Sequence, residues 1–188
     1  MTAVMNQAAS STVALPVTTR RIVLTGFMGA GKSTVGGLLA ARLGWALIDI
    51  DHQVERATGT TIQQIFDTQG EAAFRQLESV AIARAMAAQH AIIALGGGAP
   101  AVLTNRLLLE QTPGTTVVFL DAPFPVLFDR CVLQEGAAVR PVLLDPAAAA
   151  ARFHQRAPHY RRSATHRIDT EDLQPAQTAE ALLQLLSA

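Results

Sequence analysis

The sequence has little cysteine, few aromatic residues and no excess of either charge. Its 188 residues include one cysteine, 5% aromatic residues, 15 Lys and Arg, and 15 Asp and Glu. The single thiol, Cys131, excludes a disulfide framework and a zinc site built from several cysteines, and it is typical of the reducing cytoplasm. A net charge of zero argues against nucleic acid or an anionic membrane as a bulk partner. No apolar run reaches the ~18 residues that span a bilayer, so we expect one globular, cytoplasmic domain.

Lysine is also scarce, and its position is informative. It occurs only at Lys32, where it completes the stretch 26–33, Gly-Phe-Met-Gly-Ala-Gly-Lys-Ser, directly after an apolar run at 22–24. This is the spacing of a phosphate-binding loop, in which glycines let backbone N–H groups converge on an anion. Lys32 could reach the β- and γ-phosphates, and the Ser33 hydroxyl could ligate Mg²⁺. We therefore predict a nucleotide phosphate site, with a loop that only caps a helix as the alternative.

Apolar runs alternate with helical periodicity along the chain, which predicts strand–helix–strand units and a parallel sheet. The short apolar strands are typical of a sheet that is covered on both faces. We expect strands at 21–25, 45–49, 91–95, 116–120 and 166–169. We expect helices at 32–43, 51–58, 61–68, 71–89, 104–111, 124–134, 147–157 and 175–187.

Two stretches lie outside this alternation. Residues 1–19 carry no charged side chain, and we interpret them as a mobile N-terminal extension ahead of a single domain over 20–188. The connector at 134–146 holds Gly136, Pro141 and Pro146 between two expected helices. Long loops in compact α/β domains are often lids, so a lid is expected here, with a variable surface loop as the alternative.

Two carboxylates follow the second expected strand. Asp49 and Asp51 come at its carboxyl end, where open α/β sheets place their ligands. A spacing of two in an extended chain puts both side chains on one face. Asp49 would then lie toward Ser33 and a Mg²⁺ ion, and Asp51 would accept a hydrogen bond from a substrate hydroxyl. Alternatively, Asp51 only caps the helix that begins at His52.

A helix motif and a triple glycine supply further candidates. Arg75 and Glu78 lie three residues apart, so the guanidinium could bind a substrate carboxylate while Glu78 orients it. A solvated Arg–Glu pair is the alternative. The glycines at 96–98 end a strand and would expose backbone N–H groups to a ligand, unless they form only a turn.

Three more arginines are candidates for anion contacts. Arg140 lies in the connector, and Arg156 begins a basic stretch at 156–162 that could attract anions or be solvated. Arg130, late in its helix, could stack on a base or only cap the helix end. The five histidines show no metal-ligand spacing.

Taken together, the motifs resemble shikimate kinase from about residue 21 to the C-terminus. The carrying residues are Gly-Phe-Met-Gly-Ala-Gly-Lys-Ser-Thr at 26–34, Asp-Ile-Asp at 49–51, Gly-Glu-Ala-Ala-Phe-Arg-Gln-Leu-Glu at 70–78, the glycines at 96–98, Arg-Pro-Val-Leu-Leu at 140–144 and Arg-Ala-Pro-His-Tyr at 156–160. The resemblance implies an α/β, nucleoside-monophosphate-kinase-like P-loop fold with three αβα layers, a five-stranded parallel sheet in the order 2-3-1-4-5, and a lid. It also implies a monomer that transfers the γ-phosphoryl group of ATP to the 3-hydroxyl of shikimate, in chorismate and aromatic amino acid biosynthesis.

The resemblance also implies a role for each matching residue. Catalysis would involve Lys32, Asp51 and Arg140, and Mg²⁺ would be held by Ser33 and Asp49. The implied shikimate contacts are Asp51, Arg75, Gly97, Gly98 and Arg156. The implied ATP contacts are Gly29, Ala30, Gly31, Lys32, Ser33, Thr34, Arg130 and Arg140. One departure is the stretch 172–175, Asp-Leu-Gln-Pro, where the family often has a basic or polar residue near adenine.

Two other functions are compatible with parts of the pattern. Another small P-loop kinase, such as a gluconate or nucleoside monophosphate kinase, would share the phosphate loop, but a kinase of a neutral sugar has no need of paired arginines for a carboxylate. A nucleotide acceptor would need a base pocket that the short stretch 51–78 hardly offers. A ligand-sensing domain without turnover would need a DNA-binding module, which the uncharged residues 1–19 cannot supply.

Overall fold

A five-stranded parallel sheet organises the chain. The computed structural model describes residues 15–132 and 145–187. The strands are β1 (Arg21–Thr25), β2 (Ala46–Asp49), β3 (Ala91–Ala94), β4 (Thr115–Asp121) and β5 (His166–Asp169). The helices are α1 (Lys32–Leu43), α2 (Ile50–Thr58), α3 (Ile62–Ala85), α4 (Leu103–Gln111), α5 (Phe124–Val132), α6 (Pro146–Ser163) and α7 (Pro175–Ser187). All strand pairs are parallel, in the order β2-β3-β1-β4-β5, which confirms the expected fold class and strand order.

Helices cover both faces of the central strands and form the three layers. Leu24 of β1 belongs to a buried cluster with Leu39 of α1 and Leu182 of α7. Its neighbour Val23 points the other way and belongs to a second buried cluster with Ile82 of α3. Because alternate residues of a strand face opposite sides, this single strand joins two hydrophobic cores.

The expectation that every strand is covered on both faces is wrong at the sheet edges. β1 and β3 are buried along their whole length, whereas β2 is exposed or partly exposed throughout and β5 alternates between partly exposed and exposed residues. Leu47 in β2 is 40% exposed to solvent. An edge strand has a neighbour on one side only, so its outer side chains are reached by fewer helices.

Several element boundaries differ from expectation. α3 extends from Ile62 to Ala85, but Gly70 within it has non-helical backbone angles, φ 81° and ψ 173°. The break separates the two helices that the sequence predicts on either side of it. α6 runs six residues past the expected end, through Pro158, and buries Tyr160 and Ser163 on its core side. A proline removes one backbone donor, and here the buried side chains that follow favour continuation of the helix.

The first described residues lie against the domain. Leu15 is partly buried against the larger core cluster, and the Arg20 N–H donates to the carbonyl of Gly114 at 2.8 Å. Most of the expected extension and lid, at 1–14 and 133–144, lies outside the described residues, so both stay predictions. Among the described helices, none is long and apolar enough to cross a membrane.

Candidate active site

The carboxyl ends of β1, β2 and β3 open onto a cleft of about 610 Å³. A smaller cavity of about 220 Å³ adjoins the triple glycine and α6. The large cleft is lined by the predicted residues Gly29, Ala30, Gly31, Lys32, Ser33, Thr34, Asp49, Asp51, Gly97 and Arg130. The small cavity is lined by the predicted residues Arg75, Gly98 and Arg156. Each predicted site residue that the structure describes therefore lies in one of these two cavities, and Arg140 lies outside the described residues.

The phosphate loop connects β1 to α1 and is held against α5. Gly29 has φ 78°, and a Cβ atom at this position would collide with the carbonyl oxygen of Leu127 and approach the sulfur of Cys131 to 2.9 Å. The Lys32 ammonium group donates to the carbonyl oxygens of Gly26 and Phe27, each at 2.9 Å. The lysine side chain therefore lies over its own loop, beside the amino end of α1, where an anionic phosphate group would be stabilised.

The predicted metal ligands contact each other. The Ser33 hydroxyl donates to Oδ2 of Asp49, while Oδ1 of the same carboxylate accepts from the backbone N–H of His52 at 3.3 Å. Asp49 is thus the N-cap of α2, a role that the sequence considered for Asp51. Within the described residues no group of three or more His, Cys, Asp or Glu could hold a metal ion. Mg²⁺ usually keeps several waters and takes few protein ligands together with substrate phosphates, so a Ser–Asp pair fits it.

Asp51 lies in the first turn of α2 rather than in an extended chain. The expected geometry, with Asp49 and Asp51 two positions apart on one strand face, is wrong because α2 begins at Ile50. The Asp51 carboxylate nevertheless lines the large cleft. Its Oδ1 lies 2.8 Å from the position that a Cβ atom on Gly96 would occupy, so the first glycine of the triple packs against it.

Arg75 is fixed between two carboxylates of its own helix. Its Nη1 donates to Oε2 of Glu78 at 2.6 Å, and its Nη2 donates to Oε1 of Glu71 at 2.9 Å. Burial lowers the pKa of Arg75, but the two glutamates outweigh burial and raise this pKa above its ordinary value. Glu78 is fully buried, and burial raises the pKa of its carboxyl although Arg75 opposes the shift. The pairing of Arg75 with Glu78 is therefore a buried contact, not a solvated one.

Arg156 reaches the same region from α6. Its side chain keeps 13% of its exposure, and Nη2 lies 3.8 Å from Oε1 of Glu71. Burial lowers the pKa of Arg156, and the neighbouring Arg75 lowers it further. One turn later on the helix, the buried Tyr160 hydroxyl donates to the carbonyl oxygen of Gly97 at 2.5 Å. This bond fastens the triple glycine to the helix that carries Arg156.

The second and third glycines join the two cavities. A Cβ atom on Gly97 would lie 3.7 Å from the backbone nitrogen of Met28 and 3.9 Å from Nη1 of Arg156. Gly97 thus lies between the phosphate loop and Arg156. A Cβ atom on Gly98 would lie 2.5 Å from Cζ of Arg75, far inside normal contact distance. Gly98 is therefore required for the position of Arg75.

Arg130 holds the loop that follows β5. Its guanidinium donates to the hydroxyl of Thr170 at 3.1 Å and to the carbonyl oxygens of Thr170 and Glu171. Residues 170–175 line the large cleft beside it. These contacts link α5 to the loop after β5. A role of Arg130 beside a base stays a prediction.

Three contacts near the site were not expected from the sequence. Gly96 packs against Asp51, the Tyr160 hydroxyl donates to the carbonyl oxygen of Gly97, and Glu71 forms ion pairs with both arginines. Glu71 had a detectable signal, because it lies four residues before Arg75 on the same helix face. The contact between Tyr160 and Gly97 joins residues 63 positions apart, and no local pattern predicts it.

Known proteins resemble this chain over most of its length. The family model described as shikimate kinase matches residues 28–187. A shikimate kinase from Moorella thermoacetica is 39% identical over 169 residues, which cover 89% of this chain and 94% of the relative. A solved structure of shikimate kinase from Acinetobacter baumannii in complex with shikimate superposes with a TM-score of 0.82 at 35% identity, covering 89% of this chain and 92% of that one.

A more distant likeness concerns the fold alone. A gluconokinase from Sinorhizobium meliloti shares 21% identity and superposes with a TM-score of 0.53. It therefore shows the architecture that small P-loop kinases share, and not the acceptor. With the phosphate loop, the paired arginines and a family match over most of its length, this chain belongs to the shikimate kinase family.

Proposed function

We propose that this protein transfers the γ-phosphoryl group of ATP to the 3-hydroxyl of shikimate, giving shikimate 3-phosphate and ADP. The observation that carries the proposal is the position of two largely buried arginines. Arg156 lies across Gly97 from the phosphate loop, and Arg75 packs against the next glycine, Gly98. A carboxylate-bearing acceptor held by both guanidinium groups would lie next to the phosphate donor. Bidentate arginine contacts suit a carboxylate in geometry as well as in charge.

Phosphoryl transfer depends mainly on alignment and on stabilisation of negative charge. The oxygen of the acceptor hydroxyl forms a bond to the γ-phosphorus, the bond from that phosphorus to the β–γ bridging oxygen breaks, and ADP leaves. Lys32 supplies positive charge over the phosphate loop. Asp51 accepts the hydrogen bond of the attacking hydroxyl and takes its proton. Arg140, which the sequence predicts to close on the phosphates, lies outside the described residues, and its role stays a prediction.

Mg²⁺ belongs to the proposal as a cofactor. Ser33 and Asp49 would hold it. The hydrogen bond between the Ser33 hydroxyl and Oδ2 of Asp49 means that these two oxygens lie next to each other in the cleft. When bound, the ion neutralises charge on the β- and γ-phosphate oxygens. Gly29 to Thr34 would bind the phosphates through backbone N–H groups, and Arg130 would support the loop beside the base.

A coupled assay of ADP release tests the reaction. With ATP and Mg²⁺, we expect release with shikimate and little with gluconate or quinate. Gluconate and quinate also carry a carboxylate and hydroxyl groups, so they test more than charge. Absence of ADP release with shikimate would refute the proposal, and faster release with gluconate would favour the sugar kinase alternative.

The cellular location and the oligomeric state of the protein are also proposals. We infer a cytoplasmic monomer, supported by the single cysteine and by the two cavities lying within one chain. Light scattering coupled to gel filtration measures the molar mass in solution and so tests whether the protein is a monomer. A mass of twice 19.9 kDa would contradict it.

A further inference from the structure

Glu71 occupies a position that the acceptor carboxylate would need. One of its oxygens, Oε1, lies 2.9 Å from Nη2 of Arg75 and 3.8 Å from Nη2 of Arg156. The two arginines come from different helices, α3 and α6, and this oxygen is close to both. A carboxylate is thus already present between the guanidinium groups that we assign to the substrate.

Glu71 and Glu78 differ in what they can do for Arg75. Glu78 has no solvent exposure and bonds Nη1, so it is a permanent part of the interior. Glu71 keeps 52% of its side-chain exposure and bonds Nε and Nη2 from the solvent side. An exposed carboxylate can rotate toward the solvent at little cost. A buried carboxylate cannot move away without leaving a buried arginine unpaired.

The charge count points to competition. Arg75 and Arg156 lie beside Arg152 in the small cavity, and Glu71 and Glu78 are the carboxylates paired with them. Removal of the negative charge of Glu71 makes this group more positive, so the group should then attract another carboxylate more strongly. The Arg75 hydrogen bond lowers the pKa of Glu71, so its carboxylate is ionised at neutral pH.

The local backbone allows Glu71 to move. Gly70 immediately before it has φ 81° and ψ 173°, and a Cβ atom there would meet nothing within 4 Å. Glu71 therefore begins a new helical segment at an open, half-exposed corner of α3. The Glu71 side chain is 52% exposed, so its carboxylate can turn toward solvent and away from the arginines.

We propose that Glu71 acts as an internal competitor of the acceptor carboxylate, closing the arginine pair in the empty enzyme and releasing it when shikimate binds. The proposal rests on the proposed function, in which Arg75 and Arg156 bind that carboxylate. Glu71 would thereby set the affinity for the acceptor and exclude small cellular anions from the arginines. It takes no part in the phosphoryl transfer step.

The variant Glu71→Gln tests this role by the sign of its effect. Because Glu71 is half exposed, we expect the shikimate KM to fall by about two- to fivefold. The kcat and the ATP KM should stay unchanged. Acetate should also become a stronger competitive inhibitor against shikimate, by a similar factor. Asp67→Asn is the matched control, since Asp67 is an exposed acid of the same helix that bonds Gln63 rather than an arginine.

The opposite sign would overturn the proposal. If Glu71 only positions Arg75, Glu71→Gln should raise the shikimate KM and weaken acetate inhibition. An unchanged KM would also overturn it, provided that Arg156→Ala raises the shikimate KM. If Arg156→Ala leaves that KM unchanged, the proposed acceptor site itself is wrong, so the two failures are distinguishable.

Discussion

The triple glycine offers a sharp test of how the acceptor site is built. In Gly98→Ala, the added Cβ atom would lie 2.5 Å from Cζ and 2.6 Å from Nη1 of Arg75. Carbon atoms in contact are normally about 3.5–4.0 Å apart, so the guanidinium would have to withdraw by roughly 1 Å. It has little freedom to do so, because the fully buried Glu78 holds Nη1 at 2.6 Å.

The magnitude follows from the burial of Glu78. Removing one partner of a buried ion pair costs about 3–5 kcal/mol, since the other charge is left without compensation. A displacement weakens the Arg75–Glu78 pair without removing it, so we expect the free energy of unfolding to fall by about 1–3 kcal/mol. Loss of one arm of a buried charge pair costs about 2–5 kcal/mol in binding, and a misplaced arm should raise the shikimate KM at least tenfold. The ATP KM should not change.

Urea denaturation and the coupled ADP assay measure these two effects. Gly97→Ala is the matched control for stability, because its Cβ atom would meet only ordinary contacts at 3.7–3.9 Å. We expect it to change the free energy of unfolding by less than about 0.5 kcal/mol. In an Arg75→Ala background, Gly98→Ala has no guanidinium to displace, and its cost should fall to the same small value.

Two outcomes would refute this reasoning. One is a Gly98→Ala protein as stable as Gly97→Ala with an unchanged shikimate KM. The other is a cost of the same size whether or not Arg75 is present. The first result would mean that Arg75 tolerates the added methyl group without being displaced. The second would mean that Gly98 acts through something other than the space it leaves for Arg75.

Three further predictions concern the donor site and the buried acid. Lys32→Ala should lower kcat by about 10²–10³, as loss of a transition-state charge contact does, with little change in the urea midpoint; a kcat within threefold of wild type would contradict this. Arg130→Ala should raise the ATP KM and leave the shikimate KM unchanged, because its bonds to Thr170 and Glu171 hold the loop beside the cleft; equal changes in both KM values would argue for a global effect. Burial raises the pKa of Glu78 above its ordinary 4.5, so the folded protein binds this proton more tightly than the unfolded chain. Relative to Glu78→Gln, the free energy of unfolding of the wild type should therefore decrease as pH rises above 4.5, and a difference that grows with pH in urea titrations would show the opposite shift.

Features that depend on consecutive residues could be predicted from the sequence. The phosphate loop is one such part, since its glycines, lysine and serine act through the backbone that joins them. The break in α3 is another, because Gly70 needs only its own conformation to interrupt the helix. The strand–helix alternation predicted the parallel sheet for the same reason: periodicity is a property of neighbouring residues.

Boundaries were less predictable where tertiary contacts outweigh local preference. The sequence predicts that the chain stays extended to Asp51, yet Asp49 caps α2 and the helix begins at Ile50. The expected end of α6 before Pro158 is wrong because buried side chains beyond the proline continue the helix. At α6 buried side chains override a local signal, whereas at α2 the local cap is Asp49 rather than Asp51.

The sequence by itself predicted a nucleotide phosphate site at 26–34 on an α/β sheet, and its motifs indicated the family. Only the tertiary structure decided how the acceptor side is assembled. Arg75 and Arg156 come from separate helices and share Glu71, and Tyr160 fastens Gly97 from a distance of 63 residues. The physical reason is that a phosphate loop is built from consecutive N–H groups, whereas a carboxylate receptor needs charges whose spacing depends on how helices pack.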